Sequence, residues 1–330
     1  MTFPAISLLR KQFKNAQIDI AARPWVCPVY RCHDAVNNVL ELNSEKGFKR
    51  YHSLFNNAQL IKKLNYNSAV IFPNSFESAL LFKLSAVPNI VGYNTDLRGL
   101  LLTKPIPLPH NKTITHEVYY YTNLIKEAFS INAQHFKELD LKLTIPENVL
   151  KNIETILEKL GITNEHIIIG INPGAAYGPA KCWPVEKYKK LAKRLLNINQ
   201  NIRLIVFGTE NEFQIGEEIK GANPKKILNL CGKTTLLEAM SAISMLDLMV
   251  TNDSGLMHIA AACKIPIVAI FGSTNPITTG PWSKDALIIR KELSCSPCLK
   301  RECSKGFECM LSIKVEEVFN ACHLQLHKKL

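Results

Sequence analysis

The chain has 330 residues, 47% of them hydrophobic and 21% charged, an ordinary globular composition with length for two domains rather than one core. Forty Lys and Arg against 28 Asp and Glu give a formal charge of +12, which favours an anionic partner such as a nucleotide, a phosphorylated glycan or an anionic membrane surface. No run of about 18 apolar residues could span a bilayer, and the basic pairs Lys62-Lys63, Lys189-Lys190, Lys225-Lys226 and Lys328-Lys329 lie scattered without interleaved aromatics, which disfavours a nucleic-acid groove.

Phe3, Ile6, Leu9 and Phe13 recur about once per turn and predict a helix over 3–14. Arg10 and Lys11 follow this apolar start, where a signal peptide would place them before it, so a soluble cytoplasmic protein is expected. A short strand over 17–22 follows, then strands at 68–72 and 89–93 around a helix at 76–84, and a further helix at 115–129. A polar helix at 147–160 precedes a stronger alternation: strands at 167–171, 203–207, 227–231, 248–251 and 266–271, with helices at 185–196, 212–220, 236–244 and 255–263 between them. Near-continuous apolar strands separated by helices predict a parallel sheet covered on both faces. The expected domains are 1–145 and 146–330, and ligands are expected at the carboxyl ends of the second domain's strands.

Four loops fall at such ends. Residues 172–184, NPGAAYGPAKCWP, hold two Gly and three Pro around one cation, Lys181, which either neutralises a pyrophosphate or is an incidental lysine on a rigid connection. In 251–262, TNDSGLMHIAAA, Asp253 or Ser254 can cap a helix, Gly255 lets a ligand approach the backbone, and the helix start favours an anion. His258 lies one turn on from Ser254; the bland alternative is a good cap with a locally bonded His. The loop 271–282, FGSTNPITTGPW, offers small hydroxyl and amide side chains for phosphate or sugar oxygens, or is simply solvated. Glu212, after the strand at 203–207, either reaches ribose hydroxyls or favours the first turn of its helix.

Together PGAAYGPAKCWP, TNDSGLMHIAAA, FGSTNP and CSPCLKREC, with weaker support from FPNSFESAL, resemble glycosyltransferase family 9, the heptosyltransferases. The resemblance implies a GT-B fold: two Rossmann-like α/β domains whose parallel sheets face a cleft, the second holding an ADP-sugar. It places Lys181 on the diphosphate, Glu212 on the adenosine ribose, and Asp253, Ser254, Gly255 and His258 on the diphosphate and heptose. The implied reaction moves heptose from ADP-L-glycero-D-manno-heptose to the heptosyl-Kdo2-lipid A inner core with inversion, at the cytoplasmic face of the inner membrane. It implies a monomer needing no cofactor, with Lys181 and the helix start stabilising the departing ADP. Acceptor contacts are expected from the first domain, with Asn74, Ser75 and Lys83 as candidates.

The family's base is an Asp in a Gly-Asp pair ahead of a helix start that Thr2-Phe3-Pro4-Ala5 matches. Only Met1 precedes that match here. The expectation is therefore a first strand and catalytic Asp lying upstream of Met1, with a gap in the first sheet beside the helix at 3–13. A sugar-nucleotide-binding protein without transferase activity is the alternative. A nicotinamide enzyme is disfavoured because no G-x-G-x-x-G follows a strand. Cys295, Cys298, Cys303 and Cys309 have spacing compatible with structural zinc, although reduced packing cysteines are the leading expectation. Cys231 and Cys263 lie in apolar runs and are expected in the core.

Overall fold

The computed structural model describes residues 1–110, 112–131 and 141–327, so the Lys328-Lys329 pair lies outside the described residues. The chain divides into two compact units, Met1–Asp140 and Leu141–Leu330. Each is an α/β unit built on parallel strands, the architecture of the GT-B fold.

The first unit opens with the helix Phe3–Gln12, which carries Pro4 in its first turn and buries Phe3, Ala5, Ile6 and Leu8. Strands β1 (Asp19–Ala22) and β2 (Asn38–Glu41) pair in parallel, with a short helix, Cys27–Arg31, between them. The helix Lys49–Lys63 leads to β3 (Ser68–Ile71), the helix Phe76–Leu84, β4 (Asn89–Tyr93), β5 (Lys104–Ile106) and the helix Glu117–Phe129. Strands β3, β4 and β5 form a second, separate parallel sheet.

Among the described residues no strand ladder joins these two sheets. One polar tie between their regions is the Tyr66 hydroxyl, which donates to Asp19 Oδ2 at 2.5 Å. The first helix packs on Glu117–Phe129, with Ala5, Leu8, Ile125 and Ile131 forming one small core. The sequence reading missed β2, β5 and the Lys49–Lys63 helix. Strand β5 has only three residues, one of them Pro105, and β2 buries neither face fully, so both lack the apolar run that marks a strand.

The second unit is more regular. After the helix Glu147–Lys159 come β6 (Ile167–Asn172), the helix Val185–Leu196, β7 (Ile202–Val206), the helix Phe213–Lys220, β8 (Ile227–Asn229) and the helix Leu236–Ser244. Then follow β9 (Leu248–Asn252), the helix Gly255–Ala262, β10 (Ile267–Phe271), β11 (Ala286–Arg290) and the C-terminal helix Val315–His327. The strand order is β11-β10-β9-β6-β7-β8, all parallel. The chain thus starts in the middle, winds one way through β7 and β8, and returns to wind the other way from β9. That reversal lies between β6 and β9, where a doubly wound sheet opens a crevice at its carboxyl edge.

One large core spans this sheet, joining Ile169, Ile171, Leu204, Val206, Val250 and Ile270 to Trp183, Tyr188 and the C-terminal helix. Gly170 lets β6 sit close under its neighbours, since a Cβ there would lie 2.8 Å from Met249 Sδ and would also strike Leu246. Gly170→Ala should therefore destabilise the protein by about 1–3 kcal/mol, read from the midpoint of urea unfolding.

Candidate functional site

The β6/β9 crevice is built first by neutral polar groups. Asn172 ends β6; its Oδ1 accepts from Ser254 Oγ at 2.6 Å and from Thr251 Oγ1 at 3.2 Å, while its Nδ2 donates to the Phe207 carbonyl at 3.1 Å. Asn252, fully buried at the end of β9, donates to the Pro173 carbonyl at 2.6 Å. Its Oδ1 accepts from the Trp183 amide at 3.2 Å and from the Tyr188 hydroxyl at 2.9 Å. These bonds lash the 173–184 loop to the strand ends. Neither Asn was among the residues expected at the site, because a single polar residue closing an apolar strand is indistinguishable in sequence from a strand terminus.

On this base Lys181 Nζ meets Asp253 Oδ2 at 2.6 Å, with the Asp253 side chain buried and that of Lys181 largely so. Thr279 Oγ1, in the loop after β10, donates to the same Oδ2 at 3.5 Å. The pair lies at the start of Gly255–Ala262, whose cap is Ser254: its Oγ accepts from the Met257 amide, and Asp253 takes no part in the cap. Gly255 is exposed, its backbone does not require glycine, and a Cβ there would meet nothing within 4 Å. Folding therefore does not demand a glycine at this position. His258 follows in the first turn, half-buried.

Of the two roles foreseen for Glu212, the structure shows the one at its helix start. Its Oε2 accepts from the Thr209 amide at 2.7 Å and from the Thr209 hydroxyl, closing a capping box. A Cβ at Gly174 would lie 2.8 Å from its Oε1, and one at Gly208 would lie 2.9 Å from its Cβ, so two glycines make room for this carboxylate between the loops after β6 and β7. Cys231 lies beneath Gly208, and burial, assisted by Glu212, pushes its thiol up to about 12.

The loop holding the four cysteines braces the site. Tyr177 donates to the Leu299 carbonyl at 2.6 Å, Ala180 N–H donates to the Arg301 carbonyl at 3.2 Å, and Leu299 N–H donates to the Ser273 carbonyl at 2.8 Å. The Tyr177 ring receives two cations, Lys181 Nζ at 4.7 Å and the Arg301 guanidinium at 5.2 Å from its centroid. Cys303 Sγ accepts from the Lys305 and Phe307 amides, both at 3.3 Å, and Cys309 is buried. Among the described residues no three His, Cys, Asp or Glu side chains are gathered so as to hold a metal ion. Tyr177 and Arg301 were also missed, although both lie inside motifs that had been singled out.

In the first unit, Asn74 and Ser75 serve local structure. Ser75 caps the helix Phe76–Leu84, and Asn74 Oδ1 accepts from the Tyr120 hydroxyl at 3.0 Å and from the Arg98 guanidinium at 3.4 Å. Arg98 is fully buried and donates through Nε to the Tyr93 carbonyl at 2.8 Å and also to the Pro73 carbonyl. Lys83 is exposed in the last turn of Phe76–Leu84.

The family model for glycosyltransferase family 9 (heptosyltransferase) matches residues 55–307. Lipooligosaccharide heptosyltransferase 2 of Haemophilus influenzae is 33% identical over 288 residues, 86% of this chain and 82% of that protein. Lipopolysaccharide heptosyltransferase 2 of Salmonella typhimurium is 30% identical over 328 residues, 97% and 93% of the two chains. Among solved structures, Escherichia coli ADP-heptose LPS heptosyltransferase II superposes with a TM-score of 0.83 at 26% identity, covering 99% of this chain and 95% of that one.

Asn252→Ala should strand a buried amide, a buried hydroxyl and a buried carbonyl at once and cost about 3 kcal/mol, measured by chemical denaturation. Asp253→Ala, which leaves a largely buried ammonium unpaired, should cost a similar amount, about 3 kcal/mol.

Proposed function

Because the chain belongs to glycosyltransferase family 9 and is a glycosyltransferase, we propose that it transfers heptose from ADP-L-glycero-D-manno-heptose to the heptosyl-Kdo2-lipid A inner core of lipopolysaccharide, inverting the anomeric centre. The observation that carries this reading is the Lys181–Asp253 pair beside an uncrowded helix start, at the reversal point of a doubly wound sheet. The relatives named for lipopolysaccharide and lipooligosaccharide heptose transfer support the substrate class.

In this reading the diphosphate lies against Lys181 and the backbone amides following Ser254, with Gly255 as the point of closest approach. Glu212 Oε1 receives the adenosine ribose while Oε2 stays in its capping box. Asp253, held by Lys181 and Thr279, orients heptose hydroxyls, and His258 completes the contacts one turn along. The acceptor hydroxyl oxygen forms the new bond to the anomeric carbon as the bond to the β-phosphate oxygen breaks. Negative charge gathers on the leaving ADP, where a fixed cation and aligned amides are worth most. The hydroxyl proton passes to a carboxylate; Asp253, occupied by Lys181, is the positioning group and not that base. No metal or cofactor is needed. The protein works as a monomer at the cytoplasmic face of the inner membrane, where its lipid-borne acceptor is presented.

Lys181→Ala should lower kcat/KM for ADP-heptose by about 100-fold or more, followed as ADP release with heptosyl-Kdo2-lipid A as acceptor. Transfer should persist undiminished in a divalent-metal chelator. Binding of ADP-heptose by calorimetry with no transfer by the same protein would replace this reading with sugar-nucleotide binding alone.

A further inference from the structure

The helix Lys49–Lys63 turns two different faces outward and inward. Its inner face buries Ser53, Leu54, Ala58 and Ile61, the last three within a core shared with Ala79 and Leu81 of the neighbouring helix. Its outer face carries three large aromatics that folding leaves in solvent: Phe48 is 94% exposed, Tyr51 70% and Phe55 55%. Phe48 precedes the helix but already has helical dihedrals, so positions 48, 51 and 55 stand on one stripe, three and then four residues apart. Gly47, at φ +62, turns the chain immediately before it.

The helix itself carries only basic charge, with Glu45 ahead of it and Glu77 on the neighbouring helix as the nearby acidic residues. Residues 46–64 contain Lys46, Lys49, Arg50, Lys62 and Lys63 and no Asp or Glu. Arg50 is paired with Glu77 of the neighbouring helix, whereas Lys49, Lys62 and Lys63 are exposed and form no ion pair among the described residues. A second copy of this chain docked symmetrically on the stripe would bring these lysines against their own kind. A surface that supplies negative charge and an apolar interior satisfies both halves of the pattern: the rings enter the boundary between headgroups and acyl chains while the lysines stay at the phosphates.

We infer that the outer stripe of the Lys49–Lys63 helix is a docking surface for an anionic lipid bilayer, with Phe48, Tyr51 and Phe55 inserted and Lys49, Lys62 and Lys63 on the lipid phosphates. The inference deepens the proposal that this enzyme meets a lipid-borne acceptor at the membrane, but its evidence, exposure and charge, is independent of the donor site.

The test is co-sedimentation of the full chain with phosphatidylglycerol-containing vesicles and with pure phosphatidylcholine vesicles. The wild type should bind the former, more weakly as salt rises, and barely bind the latter. Phe48→Ser/Tyr51→Ser/Phe55→Ser and Lys49→Gln/Lys62→Gln/Lys63→Gln should each lower partitioning at least about tenfold, the second also flattening the salt dependence. Both should keep the wild-type thermal midpoint and wild-type turnover on a detergent-dispersed acceptor. The docking surface is overturned if the wild type ignores anionic vesicles, if either variant binds them like the wild type, or if the aromatic variant instead converts a dimeric wild type to monomer. Transfer on the dispersed acceptor reads the catalytic proposal separately, so either can fail alone.

Discussion

Two buried asparagines at the ends of adjacent parallel strands govern the geometry of the second unit's crevice. A backbone that must leave β6, turn through a loop with two glycines and three prolines and enter a helix has few hydrogen-bonding partners of its own. Asn252 supplies them from the neighbouring strand, reaching the Pro173 carbonyl on one side and the Trp183 amide on the other. Asn172 does the converse for the loop after β9 through Ser254. Because each strand holds the other's loop, Lys181 and Asp253 are brought together although they lie far apart in sequence. A buried network with its polar atoms paired in this way has essentially one low-energy arrangement, so the loops it holds are fixed relative to one another.

The sequence carried the second unit almost whole, because buried strands and amphipathic helices alternate there with strong period and clear caps. The first unit was legible only in part. Lys49–Lys63 was overlooked because aromatics on its solvent side blur the helical stripe, and β5 is too short and too interrupted by Pro105 to register. At the site, the charged and glycine positions were readable since their loops carry recognisable residue types, with the functional roles drawn from a family resemblance. Asn172, Asn252, Tyr177 and Arg301 were not, since their importance lies in partners more than 60 residues away or in a ring shared between two cations. The edge strand β11 and the C-terminal helix were likewise unassigned, although that helix contributes Val318, Cys322 and Leu326 to the main core.

The cysteine-bearing loop has a visible structural part to play. Its backbone carbonyls and amides bond the loops after β6 and β10, and the Cys309 sulfur packs on Gly272 at the start of the latter. The Cys303 sulfur is taken up as an acceptor for two amides, which organises a turn that includes Gly306 and Phe307, both with positive φ. Glu212 makes the complementary point: one oxygen is consumed by a helix cap, and the pocket formed by Gly174 and Gly208 fixes where the other one goes.

That no strand ladder among the described residues joins the first unit's two sheets bears on how the molecule breathes. Among its described residues are several small apolar clusters, two of them sharing Val70, Phe72, Tyr121 and Phe129 as partly buried neighbours, whereas the second unit's sheet is threaded by one core running from the strands to the C-terminal helix. Opening a small cluster exposes little apolar surface and few ladder bonds, so it lies near the bottom of the free-energy scale of local unfolding. Backbone amides of β1 and β2 should therefore trade hydrogen for deuterium through such sub-global openings, while those of β6 and β9 wait for the whole second unit to unfold. The polypeptide then has two stability tiers, with the rigid tier carrying the Lys181–Asp253 pair and the compliant tier carrying the aromatic helix.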